Sequence, residues 1–288
     1  MLAYRHAFHA GNHADVLKHL ILSEVLRHMV EKDKPITIVD THAGAGAYSL
    51  TEGYAVKQGE FEQGIAKLWK REDAPDAIKR YLKVVRQFNG GGNRKWPELK
   101  AYPGSPMVSQ LLMRPEDRLH LYELHPTDHK LLEATMAGHA NVRVRKSDGF
   151  AGLKAELPPP SRRGLVLIDP PYEIKSDYSA VLTCVREALK RFPQAVILVW
   201  IPQVRLIESA DLPKRLQASA TAAPRGWLHA RLTVQQADPQ GFGLMGSHMF
   251  LYNAPFGLYD DLQVALPWLT EQLAQYPGAS HELRHYAP

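Results

Sequence analysis

The stretch Gly164-Leu165-Val166-Leu167-Ile168-Asp169-Pro170-Pro171-Tyr172 decides the fold. An apolar run without polar alternation describes a strand buried on both faces, as in a parallel sheet. The double proline ends it, because neither ring nitrogen can donate a ladder hydrogen bond. Open α/β sheets bind ligands at the carboxyl ends of their strands, so Asp169 to Tyr172 is expected at a crevice. The segment offers a carboxylate, a fixed carbonyl and an aromatic face together. Asp169 and the Pro170 carbonyl can each accept one hydrogen of an exocyclic ring amine, localising a lone pair otherwise drawn into the ring. Tyr172 can stack on that ring, worth roughly 1–3 kcal/mol by analogy with single-strand binders. Alone, the same letters also describe a Pro-Pro terminator beside an incidental aspartate.

Further towards the amino terminus, Pro35-Ile36-Thr37-Ile38-Val39 is a second strand-like run. It leads into Asp40-Thr41-His42-Ala43-Gly44-Ala45-Gly46-Ala47-Tyr48. Strand, acid and Gly-x-Gly form a nucleotide-type turn in which glycine permits positive φ and close backbone approach. Ser49 stands where a dinucleotide fingerprint has its third glycine, which disfavours NAD. Followed by the later Asp-Pro-Pro-Tyr, this order resembles the S-adenosylmethionine-dependent amino-methyltransferases. Two more strand ends fit it. Leu119 to Glu123 ends in an acid suited to a ribose diol, and Asn141 to Phe150 places Asp148 within reach of the cofactor's adenine. Each acid alone also suits a solvated strand end or, for Asp148, a helix cap.

The amino-terminal stretch from Tyr4 to His19 is rich in polar and aromatic side chains. Taken with Asp40 to Gly46, Tyr102-Pro103-Gly104-Ser105-Pro106, Glu123-Leu124-His125-Pro126 and Leu167 to Tyr172, it resembles the RlmJ family over nearly the whole chain. That family comprises adenine-N6 methyltransferases of large-subunit ribosomal RNA. The resemblance implies methyl transfer to one adenine of 23S ribosomal RNA, acting on RNA rather than finished ribosomes. It implies cofactor contacts from Lys18, His19, His42, Ser105, Glu123, Asp148 and Gly149, and Gly44 and Gly46 of the Gly-x-Gly turn, with Asp169, are expected to bind the cofactor as well. It also implies Asp169 as catalytic acceptor, assisted by Pro170 and Tyr172, and Tyr4 facing RNA beside Arg5 and His6.

Bulk properties agree. The 288 residues suit one large α/β domain with an insertion. The 35 Lys and Arg against 30 Asp and Glu, net +5, give a mild bias towards polyanions. One cysteine, Cys184, excludes an internal disulfide and a cysteine zinc site, and its place in a helical pattern makes it a core residue. No signal-like segment opens the chain, and its longest apolar run, from Ala195 to Ile201, is too short to span a bilayer. A cytoplasmic monomer with no membrane contact and no obligate protein partner is expected.

Alternating strand and helix patterns predict a Rossmann-like class I methyltransferase over 1–288, with about seven mostly parallel strands. The runs Trp227 to Gln235 and His248 to Asn253 are joined by too little chain for a crossover helix. They should therefore form an antiparallel pair at one edge. About 60 residues separate the Gly-x-Gly loop from the second strand, too many for a single crossover. We therefore expect a helical subdomain inserted over 52–100. Within it, Asp76 to Phe88 is amphipathic: Ile78, Leu82, Val85 and Phe88 (or Tyr81) share a stripe, with Lys79, Lys83 and Arg86 opposite. Gly90-Gly91-Gly92 and Asn93-Arg94-Lys95-Trp96 follow. The basic face suits RNA phosphates, or is an ordinary solvated surface.

Two metal motifs are decoys. His281-Glu282-Leu283-Arg284-His285 spells a zinc-protease string, but near the carboxyl terminus, where chains fray. His6, His9 and His13 lack a supporting carboxylate or cysteine cluster, so no metal is expected. Alternative acceptors are guanine N2 in RNA, adenine N6 in DNA and a protein glutamine amide. Asp169, where glutamine enzymes commonly carry Asn, disfavours the last. A non-catalytic RNA-binding protein is the alternative of another class.

Overall fold

The computed structural model describes residues 6–52, 59–91 and 96–288. Tyr4, Arg5, Gly92, Asn93, Arg94 and Lys95 lie outside them, so the RNA-facing role expected of Tyr4 and Arg5 has no structural description. The sheet is built from β1 (Thr37–Asp40), β4 (Arg118–Tyr122), β5 (Val142–Arg145), β6 (Gly164–Ile168), β7 (Val196–Gln203), β8 (Trp227–Thr233), β9 (Gly246–Tyr252) and β10 (Ser280–Tyr286). Their spatial order is β10-β8-β9-β7-β6-β1-β4-β5, while β2 (Ala47–Ser49) and β3 (Ala101–Pro103) form a small separate ribbon. The half from β5 to β7 is parallel, and β7, β9, β8 and β10 are antiparallel. This is the Rossmann-like class I methyltransferase arrangement.

Burial follows sequence pattern. Every residue of β1 and β6 is buried, as expected of central parallel strands. In the outer strand β5, Val142 and Val144 are half-buried while Arg143 and Arg145 are exposed, the alternation of an edge. Register sets the levels of the strand ends: Asp40 pairs with Leu167, and Ile168 with Val199. Asp169 and Trp200, one residue further on, are therefore neighbours at the carboxyl edge.

The helices are α1 (His13–Val30), α2 (Ile65–Leu68), α3 (Asp76–Phe88), α4 (Ser105–Leu112), α5 (Pro126–Thr135), α6 (Gly149–Glu156), α7 (Ser176–Arg191), α8 (Ile207–Ala218) and α9 (Leu258–Leu273). The antiparallel strands 227–233 and 246–252 pair as expected, but not at an edge. β10, unforeseen, flanks β8, and β9 is inserted against β7. The zinc-protease string thus forms a strand rather than a frayed end. His281 and His285 share a face but lie about 13 Å apart at strand spacing, so they cannot bind one ion. His281 Nδ1 lies 2.9 Å from Thr270 Oγ1, and the His285 ring packs 4.0 Å from that of Tyr259.

The insertion helix α3 buries Ile78, Tyr81, Leu82 and Val85 in the same core as Leu17, Ile21 and Ile38, with Tyr81 rather than Phe88 on the buried stripe. A charged network joins three helices. Buried Glu24 of α1 accepts from Arg27 and Arg80, and Asp261 of α9 accepts from Arg27 and Arg80 at 2.8 and 3.0 Å. His28 and Asp261 complete it at 3.2 Å. Among the described residues, no helix is long and apolar enough to cross a membrane.

Candidate active site

The carboxyl ends of β1, β4, β5, β6 and β7 surround a cavity of about 820 Å³, suited to a nucleotide-sized ligand. Lys18, His19, His42, Gly44, Ser105, Glu123, Asp148, Gly149, Asp169 and Pro170 all line it. Helix α1 supplies the first two. Asn12 caps it by accepting from the Ala14 and Asp15 backbone N–H groups at 2.9 and 3.0 Å. One turn inside, Asp15 and Lys18 lie on one face, paired at 2.9 Å. Lys18 Nζ also donates to Asp169 Oδ2 at 2.6 Å, while Asp15 Oδ2 lies 2.8 Å from His6 Nε2 and accepts from the Gly11 N–H at 2.9 Å. His6, Asp15, Lys18 and Asp169 thus form a continuous polar chain from the amino terminus to the double-proline loop.

Burial taxes these charges, and pairing restores them. Burial alone would raise the Asp15 carboxyl, but His6 and Lys18 hold it well below its usual range. Burial would likewise lower Lys18, yet Asp15 and Asp169 push its ammonium above its usual value. Uncharged partners give no such rescue. His19 and His42 are pushed down by burial to about 3, so both are neutral near pH 7. His19 Nδ1 meets the Tyr102 hydroxyl at 2.8 Å, and its buried Nε2 has no partner among the described residues.

The Gly-x-Gly loop is fixed from three sides. Asp40 accepts from the Ser105 hydroxyl at 2.6 Å and the His42 N–H at 3.2 Å, yet burial raises its carboxyl to about 6. Gly44, at φ +60°, donates its N–H to Glu123 at 2.8 Å. The other Glu123 oxygen accepts from the His125 N–H at 2.6 Å. Burial raises the Glu123 carboxyl despite these bonds. Asp148 caps α6 through the Phe150 N–H at 2.9 Å and also faces the cavity, so the cap and the site share one side chain. At Gly149 a Cβ would lie 2.0 Å from the Thr41 carbonyl oxygen, so only glycine lets α6 approach β1 this closely.

Several expected site residues lie elsewhere. Gly46, at φ +81°, does not line the cavity; its carbonyl accepts from the Gly104 N–H at 2.9 Å and it packs on Leu132. Tyr172 does not line it either. Its backbone takes a left-handed φ of +51°, its hydroxyl donates to the Trp200 carbonyl at 2.7 Å, and its ring packs 4.6 Å from Tyr178. The double proline turns this aromatic under the loop, and Trp200 is the large aromatic ring beside Asp169 and Lys18, whose Nζ lies 5.8 Å from its centre. Lys79 and Lys83 are exposed on α3 away from the cavity, and Arg86 stacks 4.6 Å over Trp96. Of the three amino-terminal histidines, His6 meets Asp15, His9 lies 2.9 Å from Glu60, and His13 bonds the Leu244 backbone. They diverge rather than converge on a metal.

The sequence marks Asp40 only as the acid of the nucleotide-type turn and gives no role to Asp15 or Trp200. The i,i+3 spacing of Asp15 and Lys18 on one helix was the available signal for Asp15. Asp40 was visible as the acid ending its strand.

The family model described as "Ribosomal RNA large subunit methyltransferase D, RlmJ" matches residues 33–284. The chain is 44% identical over 281 residues to ribosomal RNA large subunit methyltransferase J of Escherichia coli (strain K12), covering 98% of this chain and 97% of that protein. It is 41% identical over 273 residues to the protein of the same name from Haemophilus influenzae, covering 95% and 94%. A crystal structure of a Legionella pneumophila protein superimposes with a TM-score of 0.84 at 31% identity, covering 96% of this chain and 98% of that one. With family match, near full-length identity and superposition in agreement, this chain belongs to the RlmJ family of ribosomal RNA large subunit methyltransferases.

Proposed function

We propose that the protein methylates the N6 amine of one adenine in 23S ribosomal RNA, using S-adenosylmethionine and acting on RNA rather than assembled ribosomes. The observation that carries this reading is the position of Asp169 and Pro170 in the wall of the cavity that the Gly-x-Gly loop also lines. The lining fits the cofactor. His19 offers a buried Nε2 without a partner among the described residues, and Gly149 keeps the wall free of a side chain where backbone must come close. Lys18, His19, His42, Gly44, Ser105, Glu123, Asp148 and Gly149 would hold it, with Gly46 shaping the loop from behind. When bound, S-adenosylmethionine supplies an electrophilic methyl group, so the protein need form no covalent intermediate.

The protein's own contribution is alignment and charge. Lys18 occupies Asp169 Oδ2, which leaves Oδ1 and the Pro170 carbonyl to accept the two amine hydrogens. The acceptor base must leave its stack to reach this strand-end cavity. Tyr172 supports the loop from beneath, Trp200 offers the adjacent ring, and His6 with Tyr4 and Arg5 belongs to the RNA-facing end. Lys79, Lys83 and Arg86 offer a separate cationic face for phosphates.

Labelled-methyl transfer to ribosomal RNA from cells lacking the enzyme, digested to nucleosides, tests the proposal. Label in N6-methyladenosine is expected. Label in N2-methylguanosine, or methylation of DNA or protein instead, would overturn the acceptor assigned.

A further inference from the structure

Beside the cavity mouth, large apolar side chains stand in the open: Ile174 is 61% exposed, Ile207 77%, Phe242 68% and Leu206 38%. They come from the β6–α7 and β8–β9 connections and from the end of the β7–α8 connection with the first turn of α8. Several contacts bring these connections together. Lys175 pairs with Glu208 at 2.9 Å, Met245 donates its N–H to the Gln203 carbonyl at 2.9 Å, and a Cβ at Gly241 would lie 3.4 Å from Arg205 Cδ. The patch continues into the cavity, because Ile174, Gly243 and Leu244 line it.

Phe242 is held outward by a built loop. Its N–H donates to Asp238 Oδ1 at 2.7 Å, and its carbonyl accepts from the Asp238 N–H at 3.0 Å. The Gly241 N–H closes the same turn on the Asp238 carbonyl at 2.9 Å. At its base, Leu244 is tied to His13 of α1 and to the Gln235 side chain. A loop organised around an exposed phenylalanine, which meets at Gly241 the connection that carries Arg205, Leu206 and Ile207, marks a contact surface. Arg205, exposed beside it, has no ion pair among the described residues.

We infer that this apolar lip packs against unpaired bases flanking the acceptor nucleotide, so that the protein takes its RNA as an opened segment. The inference rests on the ribosomal RNA reading above and adds to it the form of the substrate. A duplex presents phosphates and sugars and covers its base faces, whereas isoleucine and phenylalanine have only base faces to bind. Extruding one base exposes its neighbours, and an apolar lip contiguous with the receiving cavity covers them. Arg205 lies where it can meet the adjoining phosphate. The lip therefore contributes affinity insensitive to salt, unlike a purely cationic face.

The test compares wild type with the double variant Ile207→Ser/Phe242→Ser, using unmodified 23S RNA as methyl acceptor over a range of salt concentrations. Both side chains are exposed, so the variant should fold, and an unchanged S-adenosylmethionine affinity verifies this. The KM for RNA should rise about tenfold or more, with its salt dependence unchanged. A KM within twofold of wild type, or a flattened salt slope, overturns the assignment of the lip. No transfer to RNA by the wild-type protein would instead overturn the ribosomal RNA reading itself.

Discussion

Replacing Gly149 with alanine tests how the site is built. The new Cβ would lie 2.0 Å from the Thr41 carbonyl oxygen and 2.6 Å from its carbon, where real Cβ contacts essentially never fall below 3.0 Å. Thr41 cannot retreat freely, because its N–H donates to the Leu167 carbonyl at 3.1 Å within the sheet. Helix α6 must therefore move by about 1 Å, carrying Asp148 and the Phe150 ring that packs 4.7 Å from His42. Forcing a group into a packed site costs about 1–3 kcal/mol. At about 2–4 °C per kcal/mol the melting temperature should fall by several degrees. Displacing binding groups by about 1 Å can cost about a hundredfold in rate, and we expect a similar loss of S-adenosylmethionine affinity by calorimetry. Gly138→Ala is the control: its φ of +87° strains alanine, but nothing lies within 4 Å of the added carbon. It should lower stability and leave cofactor affinity alone. If Gly149→Ala bound cofactor within twofold of wild type, the close approach of α6 to β1 would not be what shapes the site.

Further outcomes follow from the same geometry. Asp169→Ala should retain cofactor binding and lose nearly all turnover, because Asp15 still compensates the buried Lys18; wild-type turnover in that variant would remove Asp169 from the mechanism. Burial lowers His13 to about 4, His19 and His42 to about 3, and His229 and His248 to about 4 and 3. Their folded values lie below the unfolded 6.5, so the unfolded chain binds more protons between these limits. Their contribution to stability is complete above about pH 6.5 and should be lost as pH falls, by up to about 1.4 kcal/mol per pH unit per histidine. Asp40, raised by burial from 3.8 to about 6, acts in the opposite sense over part of this window, as do the raised Glu123, Asp177 and His9, but the five lowered histidines outnumber them. A urea midpoint unchanged from pH 7.5 to pH 4.5 would contradict this account. Changing Lys79, Lys83 and Arg86 together to Glu should weaken RNA binding and flatten the log K against log salt slope by about 2–3. An unchanged slope would make that face structural only.

The legible parts of the chain were those where local chemistry and strand ends coincide. Asp169 and Glu123 each follow directly on a buried strand at the level of the cavity, so strand recognition placed them, whereas Asp148 comes three residues beyond the alternating edge strand β5, as a helix cap. Tyr172 shows the limit. Composition identified an aromatic after two prolines, but the direction of its ring depends on a left-handed backbone at that residue and on packing against Tyr178, neither of which spacing encodes. β10 has no apolar alternation to mark it, because His281, Glu282, Arg284 and His285 read as a polar tail. Its pairing with β8 supplies hydrogen bonds from a distant segment instead. Similarly, the His6–Asp15–Lys18–Asp169 chain joins residues 151 positions apart between Lys18 and Asp169, beyond any local pattern.

The charged network between α1, α3 and α9 bears on how this chain matures during synthesis. Glu24 and Arg80 leave the ribosome long before Asp261, which completes their ion pairs, and α1 also packs against β9. Helix α1, whose Lys18 and His19 line the cavity, thus waits for the last quarter of the chain before its outer side is closed. Nascent chains arrested before residue 258 should therefore be cut readily by protease within α1, and chains extended past α9 should not. A helix that lines the candidate site is thus made long before its outer side is secured.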